Sequence, residues 1–396
     1  MMQEINFVGL KMKNPVIVAS AESINDFECM KRARDAGAGA VVTKSVVFPK
    51  KYVEGMDYTE GRATGQNPRP RFAVVNNDVR FDPALHRKGA FFTLFRAGGL
   101  YMKPDDASRH IEKAKNSLDI PVIGSIVAAK EDYEEWQKVA KIVQDAGADA
   151  LELNLHCIPY IIGTNPSIVK AVKEVAKVPV IAKLMVPWED SGTTAKKLVE
   201  AGADALTGMG TFAFRAMDID VDQKKIYMQP AFYGLGGPWL RPVGLAYVSG
   251  MASSVKVPIS GVSGVVNWRD VVKYIMAGAT TVQVCGAVFA EGYRVIRKIV
   301  DGFEQYMQKN GHKTIEEFKG ILLKDILPRP KMAFEPPIKA AVDASRCIGC
   351  EDCADSCFWH ALHMEEGKIQ VDRKACDGCG LCVSLCNQGA LSMKPY

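Results

Sequence analysis

Eight cysteines near the end of the chain, arranged in two runs with the same spacing, constrain the fold more than any other feature. Each run separates its cysteines by two, two and three residues, from Cys347 to Cys357 in the first run and from Cys376 to Cys386 in the second. Zinc sites usually join one C-x-x-C pair to a distant second pair, and a disulfide framework is typical of small secreted proteins. Four cysteines packed this closely favour a metal–sulfur cluster over both alternatives.

The spacing is that of a two-cluster bacterial ferredoxin, in which the fourth cysteine of each run binds the other cluster. It predicts two [4Fe-4S] clusters, one bound by Cys347, Cys350, Cys353 and Cys386, the other by Cys376, Cys379, Cys382 and Cys357. Phe358 and Asn387 replace the proline that usually follows the fourth cysteine, a change that affects a turn and not a ligand. A module of this kind transfers single electrons.

Composition and charge indicate which partners and which cellular compartment to expect for this chain. The 396 residues carry a formal net charge of +5, and the excess basic residues are not clustered, which does not indicate a nucleic-acid partner. No stretch reaches the roughly 20 apolar residues of a membrane span, and the N-terminus shows no apolar signal segment. Of the eleven cysteines, Cys29, Cys157 and Cys285 lie outside the two runs. We therefore expect a cytoplasmic protein with neither a membrane nor a nucleic-acid partner.

A short phrase recurs four times in the large segment that precedes the cysteines. Each copy reads as the end of a helix, a glycine cap and then a buried strand, and the copies are Asp35–Thr43, Asp145–Leu153, Glu200–Thr207 and Met276–Val284. A repeated unit of this kind predicts a repeated architecture.

A second phrase, in which proline precedes an apolar run, alternates with the first at Ile120–Ile123, Val178–Ile181 and Val257–Ser260. Together with Asn14–Val18, the two phrases predict eight strands, and helical patterns separate them. Eight strands that alternate with helices indicate an α/β fold, the (β/α)8 or TIM barrel.

The same patterns predict the domain organisation. We expect the barrel at residues 1–310, a helix and a proline-rich linker at 311–338, and a two-[4Fe-4S] ferredoxin-like domain at 339–396. The segment 44–120 is too long for one helix, and a second insertion, 211–241, follows the sixth strand. These insertions are candidates for a lid or a substrate loop.

Active sites of such barrels lie at the C-terminal ends of the strands. The polar and small residues at those positions are Ala19, Ser20, Lys44, Ser45, Asn154, Cys157, Lys183, Thr207, Gly261, Gly264, Cys285 and Gly286. The glycines after strands seven and eight fall where barrels bind phosphate through backbone amides, although each also suits a simple turn.

A phosphate-bearing flavin connects this site to the predicted clusters. Iron–sulfur clusters transfer one electron at a time, most organic substrates accept two, and a flavin exchanges both. Flavin mononucleotide (FMN) has one phosphate, and Lys44 and Lys183 could stabilise negative charge on its reduced ring. The alternative, that these lysines lie on the surface or cap a helix, fits their apolar strands less well.

Six stretches of the sequence together resemble a known family. They are Asn14–Ser20, Thr43–Ser45, Glu152–Cys157, Ala182–Leu184, Gly236–Pro242 and Val282–Ala287. They resemble the dihydroorotate dehydrogenase superfamily. With a ferredoxin domain attached, the chain is most similar to the FMN/ferredoxin subunit or domain of NAD(P)-dependent dihydropyrimidine dehydrogenase.

The resemblance implies a set of cofactor and substrate residues. FMN would be bound by Ala19, Ser20, Lys44, Ser45, Asn154, Lys183, Gly237, Ser260, Gly261, Cys285 and Gly286. Asn154 would also face the substrate, whose C=C bond is conjugated to a carbonyl. Cys157 would exchange a proton with one carbon while FMN N5 delivers hydride to the other. A lone cysteine is more often a buried structural residue, but the position of Cys157 directly after the fourth strand favours the catalytic role.

The substrate side departs from the family. His156 replaces a small residue before the cysteine, and it either assists proton transfer or polarises a carbonyl as a second catalytic group, or is simply packed. Thr211 stands after Gly210 where relatives carry an Asn-Thr pair for the substrate ring, and the loop 158–163 also differs. A pyrimidine needs paired polar partners, so an apolar or aromatic substrate is the alternative.

Three functional hypotheses follow. The first is an FMN and iron–sulfur oxidoreductase that reduces or forms the conjugated C=C bond of a small molecule. It would work as a homodimer with ferredoxin or with an FAD-bearing reductase subunit that uses NAD(P)H, because no dinucleotide fingerprint occurs in this chain. The second is a lyase or aldolase with Lys183 or Lys44 as a Schiff base. The third is a non-catalytic electron-transfer subunit.

Overall fold

The computed structural model describes residues 3–48, 71–75, 92–96, 101–128, 131–155, 165–185, 190–210, 215–216, 219–220, 224–226, 233–326 and 338–395. The chain divides into two compact units, residues 1–323 and 324–396. The first unit extends beyond residue 310 because the segment that follows packs on it. Phe318 is buried there, and the amide of Gly320 donates to the Ile275 carbonyl at 2.9 Å.

The strands are short, as is usual for a barrel. In chain order the first unit has β1 (Ile5–Phe7), β2 (Leu10–Met12), β3 (Val16–Val18), β4 (Ala40–Val42), β5 (Arg71–Val75), β6 (Phe92–Arg96), β7 (Val122–Ile126), β8 (Ala150–Asn154), β9 (Val180–Met185), β10 (Ala205–Gly210), β11 (Arg215–Ala216), β12 (Ile219–Asp220), β13 (Lys225–Ile226), β14 (Tyr233–Gly236), β15 (Ile259–Gly261) and β16 (Thr281–Val284). The second unit has β17 (Ile338–Val342), β18 (Leu362–Glu365), β19 (Lys368–Val371) and β20 (Leu391–Pro395).

Eight of these strands form a closed barrel in the order β3-β4-β7-β8-β9-β10-β15-β16, and the pairs within it are parallel. The barrel closes where β16 pairs with β3, with Gln283 opposite Ile17. Each of the eight predicted strands is present, and the predicted TIM barrel is confirmed.

Helices follow the barrel strands and cover them. They are α1 (Phe27–Asp35), α2 (Pro104–Ser117), α3 (Tyr133–Asp145), α4 (Pro166–Lys173), α5 (Ser191–Glu200), α6 (Arg241–Ala252), α7 (Trp268–Met276), α8 (Gly286–Glu291) and α9 (Arg294–Lys309), with α10 (Asp352–Asp355) and α11 (Leu381–Leu385) in the second unit. The glycine of each repeated phrase, at 37, 147, 202 and 278, has a φ between 96° and 104° and ends a helix as predicted. Among the helices that the structure describes, none has the length and apolarity to span a membrane.

The two insertions meet in one antiparallel sheet of the order β11-β14-β6-β5. Strands β5 and β6 come from the insertion after β4, whereas β11 and β14 come from the insertion after β10. The central pairing places Leu235 opposite Leu94. Because both insertions leave the barrel at the C-terminal ends of parallel strands, this sheet belongs to the end where such barrels build their sites.

The inner face of the barrel changes from apolar to polar along the strands. Gly261 faces outward, because a Cβ there would lie 2.5 Å from the Tyr274 ring on α7. Alternation then turns Ser260 inward with its register partner Thr207. The inward residues near the C-terminal ends of the strands include Ser125, Glu152, Lys183, Thr207, Ser260 and Gln283, all buried.

The residues two positions earlier on four of these strands are Ile123, Ala150, Ile181 and Ala205, also buried. A step of two residues keeps the same face, so this apolar layer lies directly below the polar one. The polar layer is the part of the interior that needs a functional explanation.

The second unit pairs β17 with β20 and β18 with β19, both antiparallel. Its buried core is small and includes two of the predicted ligand cysteines, and its members are Cys347, Cys353, Leu362, Ile369, Ala390 and Leu391.

Candidate active site and cluster sites

Lys183 lies at the centre of the polar layer. Its ammonium donates to Glu152 Oε1 at 3.1 Å and to Gln283 Oε1 at 2.8 Å, and its side chain is 4% exposed. The other oxygen of Glu152 accepts hydrogen bonds from Thr207 Oγ1 at 3.0 Å and from Gln283 Nε2 at 2.6 Å. Four strands thus hold one buried, charge-paired lysine at the mouth of the barrel.

Lys44 follows β4 and forms a second ion pair. Its Nζ lies 2.9 Å from Glu22 Oε1, and the two side chains are 13% and 14% exposed. The Tyr101 ring centroid lies 6.0 Å from the same Nζ. Each of the two lysines predicted at strand ends therefore has a carboxylate partner.

Asn154 and a set of serines form a hydrogen-bonded chain across the mouth. The Asn154 amide donates to Ser45 Oγ at 2.7 Å, and Ser45 Oγ lies 2.9 Å from Ser125 Oγ. Ser20 Oγ lies 3.4 Å from Ser45 Oγ. The structure therefore brings together four small polar side chains from four strand ends.

The loop after β15 is shaped by close packing. The Tyr274 hydroxyl lies 2.9 Å from the Val262 carbonyl and 2.6 Å from the Ser263 carbonyl. Ser263 has a φ of 94°, a strained value for a residue with a side chain. Gly264 has a φ of 70°, and a Cβ there would lie 2.5 Å from the Arg241 backbone nitrogen. The loop therefore requires a glycine at this position.

The same loop is held by an ion pair with one buried partner. Arg241 Nη1 lies 2.8 Å from Asp270 Oδ1, and the second Asp270 oxygen accepts from the Val266 and Asn267 amides at 3.0 and 3.1 Å. These contacts fix the start of α7 and the loop that precedes it.

Cys285 and Gly286 follow β16, where α8 begins. Burial, with a smaller contribution from Glu22, raises the pKa of the half-buried Cys285 thiol to about 11, although Lys183 and Lys44 act to lower it. Cys285 is therefore a neutral thiol at pH 7. Gly237, with a φ of 123°, precedes a short 3₁₀ helix at 238–240.

The residues at this mouth fit FMN. The Ser260 hydroxyl is buried without a hydrogen-bond partner among the described residues, as expected of a group that binds a ligand. Two ammonium groups suit an electron-rich ring, and the glycine-containing loop at 261–264 follows β15, where barrels often bind phosphate.

The eight cysteines of the second unit line two separate cavities. One is lined by Cys347, Cys350, Cys353 and Cys386. The other is lined by Cys357, Cys376, Cys379 and Cys382, and Cys353 lines this cavity as well. The spacing predicts that the fourth cysteine of each run joins the first three cysteines of the other run. The cavity linings show this same grouping.

Backbone amides point at the sulfurs of both groups. Ile369 donates to Cys347 Sγ at 3.4 Å and Ala390 to Cys386 Sγ at 3.2 Å. In the other group Ala340 donates to Cys376 Sγ and Ala361 to Cys357 Sγ, both at 3.4 Å. Such N–H···S bonds stabilise thiolates and tune cluster potentials.

The geometry differs from that of a single-ion site. Within the described ranges, no three Cys, His, Asp or Glu side chains lie close enough together to hold one metal ion. A tetrahedral zinc ion draws its thiolates to about 2.3 Å from one centre, whereas a cubane spreads them around a larger body.

Three predicted site residues, His156, Cys157 and Thr211, lie outside the described residues. Conversely, four residues of the polar network were not predicted: Glu22, Ser125, Glu152 and Gln283. A signal for Glu152 was present, because it lies two residues before Asn154 on a strand and so shares its face.

Comparison with known proteins identifies the family. The family model described as "Dihydroorotate dehydrogenase" matches residues 2–307, and the model "4Fe-4S dicluster domain" matches residues 346–390. This chain belongs to the dihydroorotate dehydrogenase family. As a family member with a dicluster domain, it is an oxidoreductase of the CH–CH class whose cofactors are FMN and two [4Fe-4S] clusters.

Individual relatives within the dihydroorotate dehydrogenase family are of two kinds. The chain is 32% identical over 333 residues to the catalytic subunit of dihydroorotate dehydrogenase B (NAD(+)) of Pyrococcus abyssi. The aligned region covers 82% of this chain and 100% of the relative. The corresponding subunit of Methanocaldococcus jannaschii is also 32% identical, over 81% of this chain and 98% of the relative. Subunit PreA of the NAD-dependent dihydropyrimidine dehydrogenase of Escherichia coli K12 is 25% identical over 89% of this chain and 85% of the relative.

Proposed function

We propose that this enzyme reduces, or in the reverse direction forms, a C=C bond conjugated to a carbonyl, as in dihydropyrimidine dehydrogenase. The observation that carries the proposal is Lys183, buried and charge-paired in the polar layer of a barrel whose chain also carries two cysteine-lined cavities. Bound FMN would supply hydride from N5 to one carbon and exchange single electrons with the clusters.

The residues of the mouth would hold FMN in defined roles. Lys183 and Lys44 would face the electron-rich part of the ring, and the unpartnered Ser260 hydroxyl would bind the cofactor. Gly261 and Gly286 would present backbone amides to the phosphate, with Cys285 packed beside them. Ala19, Ser20, Ser45, Asn154 and Gly237 complete the proposed cofactor-binding set.

Asn154 would orient the substrate. Its amide nitrogen donates to Ser45 Oγ, and Ser45 in turn contacts Ser125, so the side chain is fixed before substrate binds. A fixed amide can align a carbonyl with the reacting carbons at little entropic cost. We place Thr211 on the substrate side as well.

Cys157 would supply the proton to the second carbon. In the sequence it follows Asn154, the last residue of β8, by three positions. His156 would assist the transfer. Proton transfer from a positioned side chain contributes about 10²–10⁴-fold to a rate.

Electrons would enter from a partner. The NAD-linked relatives are named as subunits, and this chain lacks a dinucleotide fingerprint, so we propose an FAD-bearing NAD(P)H reductase subunit or ferredoxin as donor. We also propose that the enzyme is a cytoplasmic homodimer.

The Schiff-base alternative is less consistent with the ion pairs. Covalent catalysis by lysine needs a neutral amine, whereas Lys183 and Lys44 are each engaged by a carboxylate. Borohydride trapping of a carbonyl substrate would nevertheless support it.

The test is anaerobic reoxidation of the reduced enzyme by a panel of enones and pyrimidines. Wild-type protein should reoxidise with at least one of them, and Cys157→Ala should keep its FMN and slow that reoxidation by about 10²-fold or more. Unchanged turnover in this variant would remove Cys157 from the mechanism. A protein loaded with FMN that no substrate reoxidises would instead favour a pure electron-transfer subunit.

A further inference from the structure

Glu22 occupies an unusual place for a carboxylate, beside a lysine at the mouth of a flavin barrel. It lies on the 3₁₀ helix at 22–24, a few residues after β3, and its Oε1 is 2.9 Å from Lys44 Nζ. Both side chains are largely buried, so water screens the pair only partly.

Neighbouring contacts hold this pair in place. The Lys44 amide donates to the Ile24 carbonyl at 3.2 Å, which joins the loops that carry the two charges. The Tyr293 hydroxyl donates to the Ser23 carbonyl at 2.6 Å and fixes the 3₁₀ helix from the other side. Glu22 is therefore held in a defined position at the mouth of the barrel and is not a mobile surface side chain.

The charges of the mouth cancel among the described residues. Lys44 is paired with Glu22 and Lys183 with Glu152. The Cys285 thiol responds to three of these groups, because Glu22 raises its pKa while Lys183 and Lys44 lower it. Glu22 thus acts on the same small volume as the two ammonium groups.

We propose that Glu22 selects an uncharged substrate, an inference that rests on the proposed function. A carboxylate on the substrate would be attracted by Lys44 but repelled by Glu22, whose Oε1 lies only 2.9 Å from the Lys44 ammonium. A neutral carbonyl loses nothing by this cancellation and can still accept a hydrogen bond from the Lys44 ammonium. Of the two substrate types named for the relatives, dihydroorotate is a carboxylate and an unsubstituted dihydropyrimidine is neutral, and the mouth fits the neutral type.

Removal of the Glu22 charge should make the site attract anions. Sulfite is a suitable probe, because this small anion adds to oxidised flavin and bleaches its absorbance without any need for a fitted substrate shape. In the FMN-loaded protein, Glu22→Gln should bind sulfite about tenfold or more tightly than the wild type, since removal of one nearby like charge shifts a binding equilibrium by about that order.

Two further variants sharpen the test. Glu28→Gln removes the same charge from an exposed position on α1 and should leave sulfite binding unchanged. The double variant Glu22→Gln/Lys44→Met restores neutrality and should return sulfite affinity to near the wild-type level. Equal sulfite affinity in wild type and Glu22→Gln, or an equal gain in Glu28→Gln, would overturn the proposal.

A measurement on the wild type alone covers the case in which Glu22→Gln fails to fold. In titrations that follow the flavin spectrum, orotate should bind no more tightly than uracil. Tighter binding of orotate would contradict the inference. FMN content separates this result from the proposed function. Protein without FMN refutes the proposed function, whereas FMN-loaded protein that prefers anions refutes only the role of Glu22.

Discussion

The two units of this chain are stabilised in different ways. The first has a continuous apolar core that runs through the barrel and under its helices, and its polar layer is satisfied largely by its own side chains. The second has a core of six buried residues, two of which are the predicted ligands Cys347 and Cys353. Small domains with so little core usually need a metal or disulfides to fold.

This difference predicts where single changes matter. In the barrel unit, stability is distributed over many contacts, so that one substitution removes a limited share. In the cluster unit, folding and ligation are the same event, so that one ligand carries a large share. Mutations in both units test this contrast.

The largest effect is expected for Cys353→Ser. Cys353 is buried in the second core and lines both cavities. Loss of this ligand should remove at least one cluster, lowering iron from about eight to about four or fewer atoms per chain, and should make residues 324–396 sensitive to protease. Iron analysis and limited proteolysis measure both.

The control for this change is Cys29→Ser, which should keep its iron because Cys29 lies on α1 of the barrel. The barrel of the Cys353→Ser variant should retain FMN. Full iron content together with a protease-resistant second unit would show that the cluster unit is held by more than its ligands.

A smaller but still large effect is expected for Glu152→Gln in the barrel. The change leaves the Lys183 ammonium in the polar layer without its carboxylate. Removing one partner of a buried pair costs about 3–5 kcal/mol in the free energy of unfolding. Chemical denaturation measures it, and the exposed Glu304→Gln on α9 should change the same quantity by less than about 0.5 kcal/mol.

The flavin should respond in the same variant. With the negative charge gone, Lys183 stabilises the reduced ring more strongly, so the FMN midpoint potential should rise. A midpoint potential equal to that of the wild type would show that Lys183 does not face the ring, even if stability falls.

Two glycines with similar backbone angles give an intermediate effect. Gly264→Ala combines a φ of 70° with a Cβ only 2.5 Å from the Arg241 backbone, whereas Gly292 has a φ of 75° and open space around it. We expect losses of about 2–3 kcal/mol for Gly264→Ala and about 1 kcal/mol for Gly292→Ala. Gly264→Ala should also retain less FMN than the wild type, whereas Gly292→Ala should not. Absorbance after dialysis measures this retention, and equal retention in the two variants would place the phosphate elsewhere.

The barrel could be predicted because its signal is local and repeated. A glycine cap followed by an apolar run marks half of its strands, and proline before an apolar run marks most of the others. The sheet β11-β14-β6-β5 was not predicted, because it pairs β6 of one insertion with β14 of the other, and these short strands lie more than 100 residues apart along the chain. Pairing over such distances leaves no trace in local patterns.

The candidate site, like the fold, was predicted only in part. Strand-end positions identified Lys44, Lys183 and Asn154, since the barrel itself dictates where strands end. The partners Glu22 and Gln283 were missed, because each contacts a lysine on a different element of the fold, and such a tertiary contact leaves no local pattern in the sequence. The cysteine groups needed no tertiary information beyond their spacing.

The smallest effect is expected at the opposite end of the barrel. Asp119, just before β7, pairs with Lys13 and Arg34 on the surface, and their hydrogen bonds lower its pKa to about 2. Because the folded pKa lies below the usual value of 3.8, this stabilisation is present above pH 4 and is lost as the pH falls toward 2. The side chains are half exposed, so screening limits the stabilisation to about 0.5–1 kcal/mol. Asp119→Asn should therefore lower the free energy of unfolding by that amount at pH 7, and the difference from wild type should shrink toward pH 2.

The same variant should retain FMN as well as the wild type does, because the N-terminal ends of barrel strands contribute to stability and not to the site. A loss of FMN in Asp119→Asn would contradict this distinction between the two ends of the barrel.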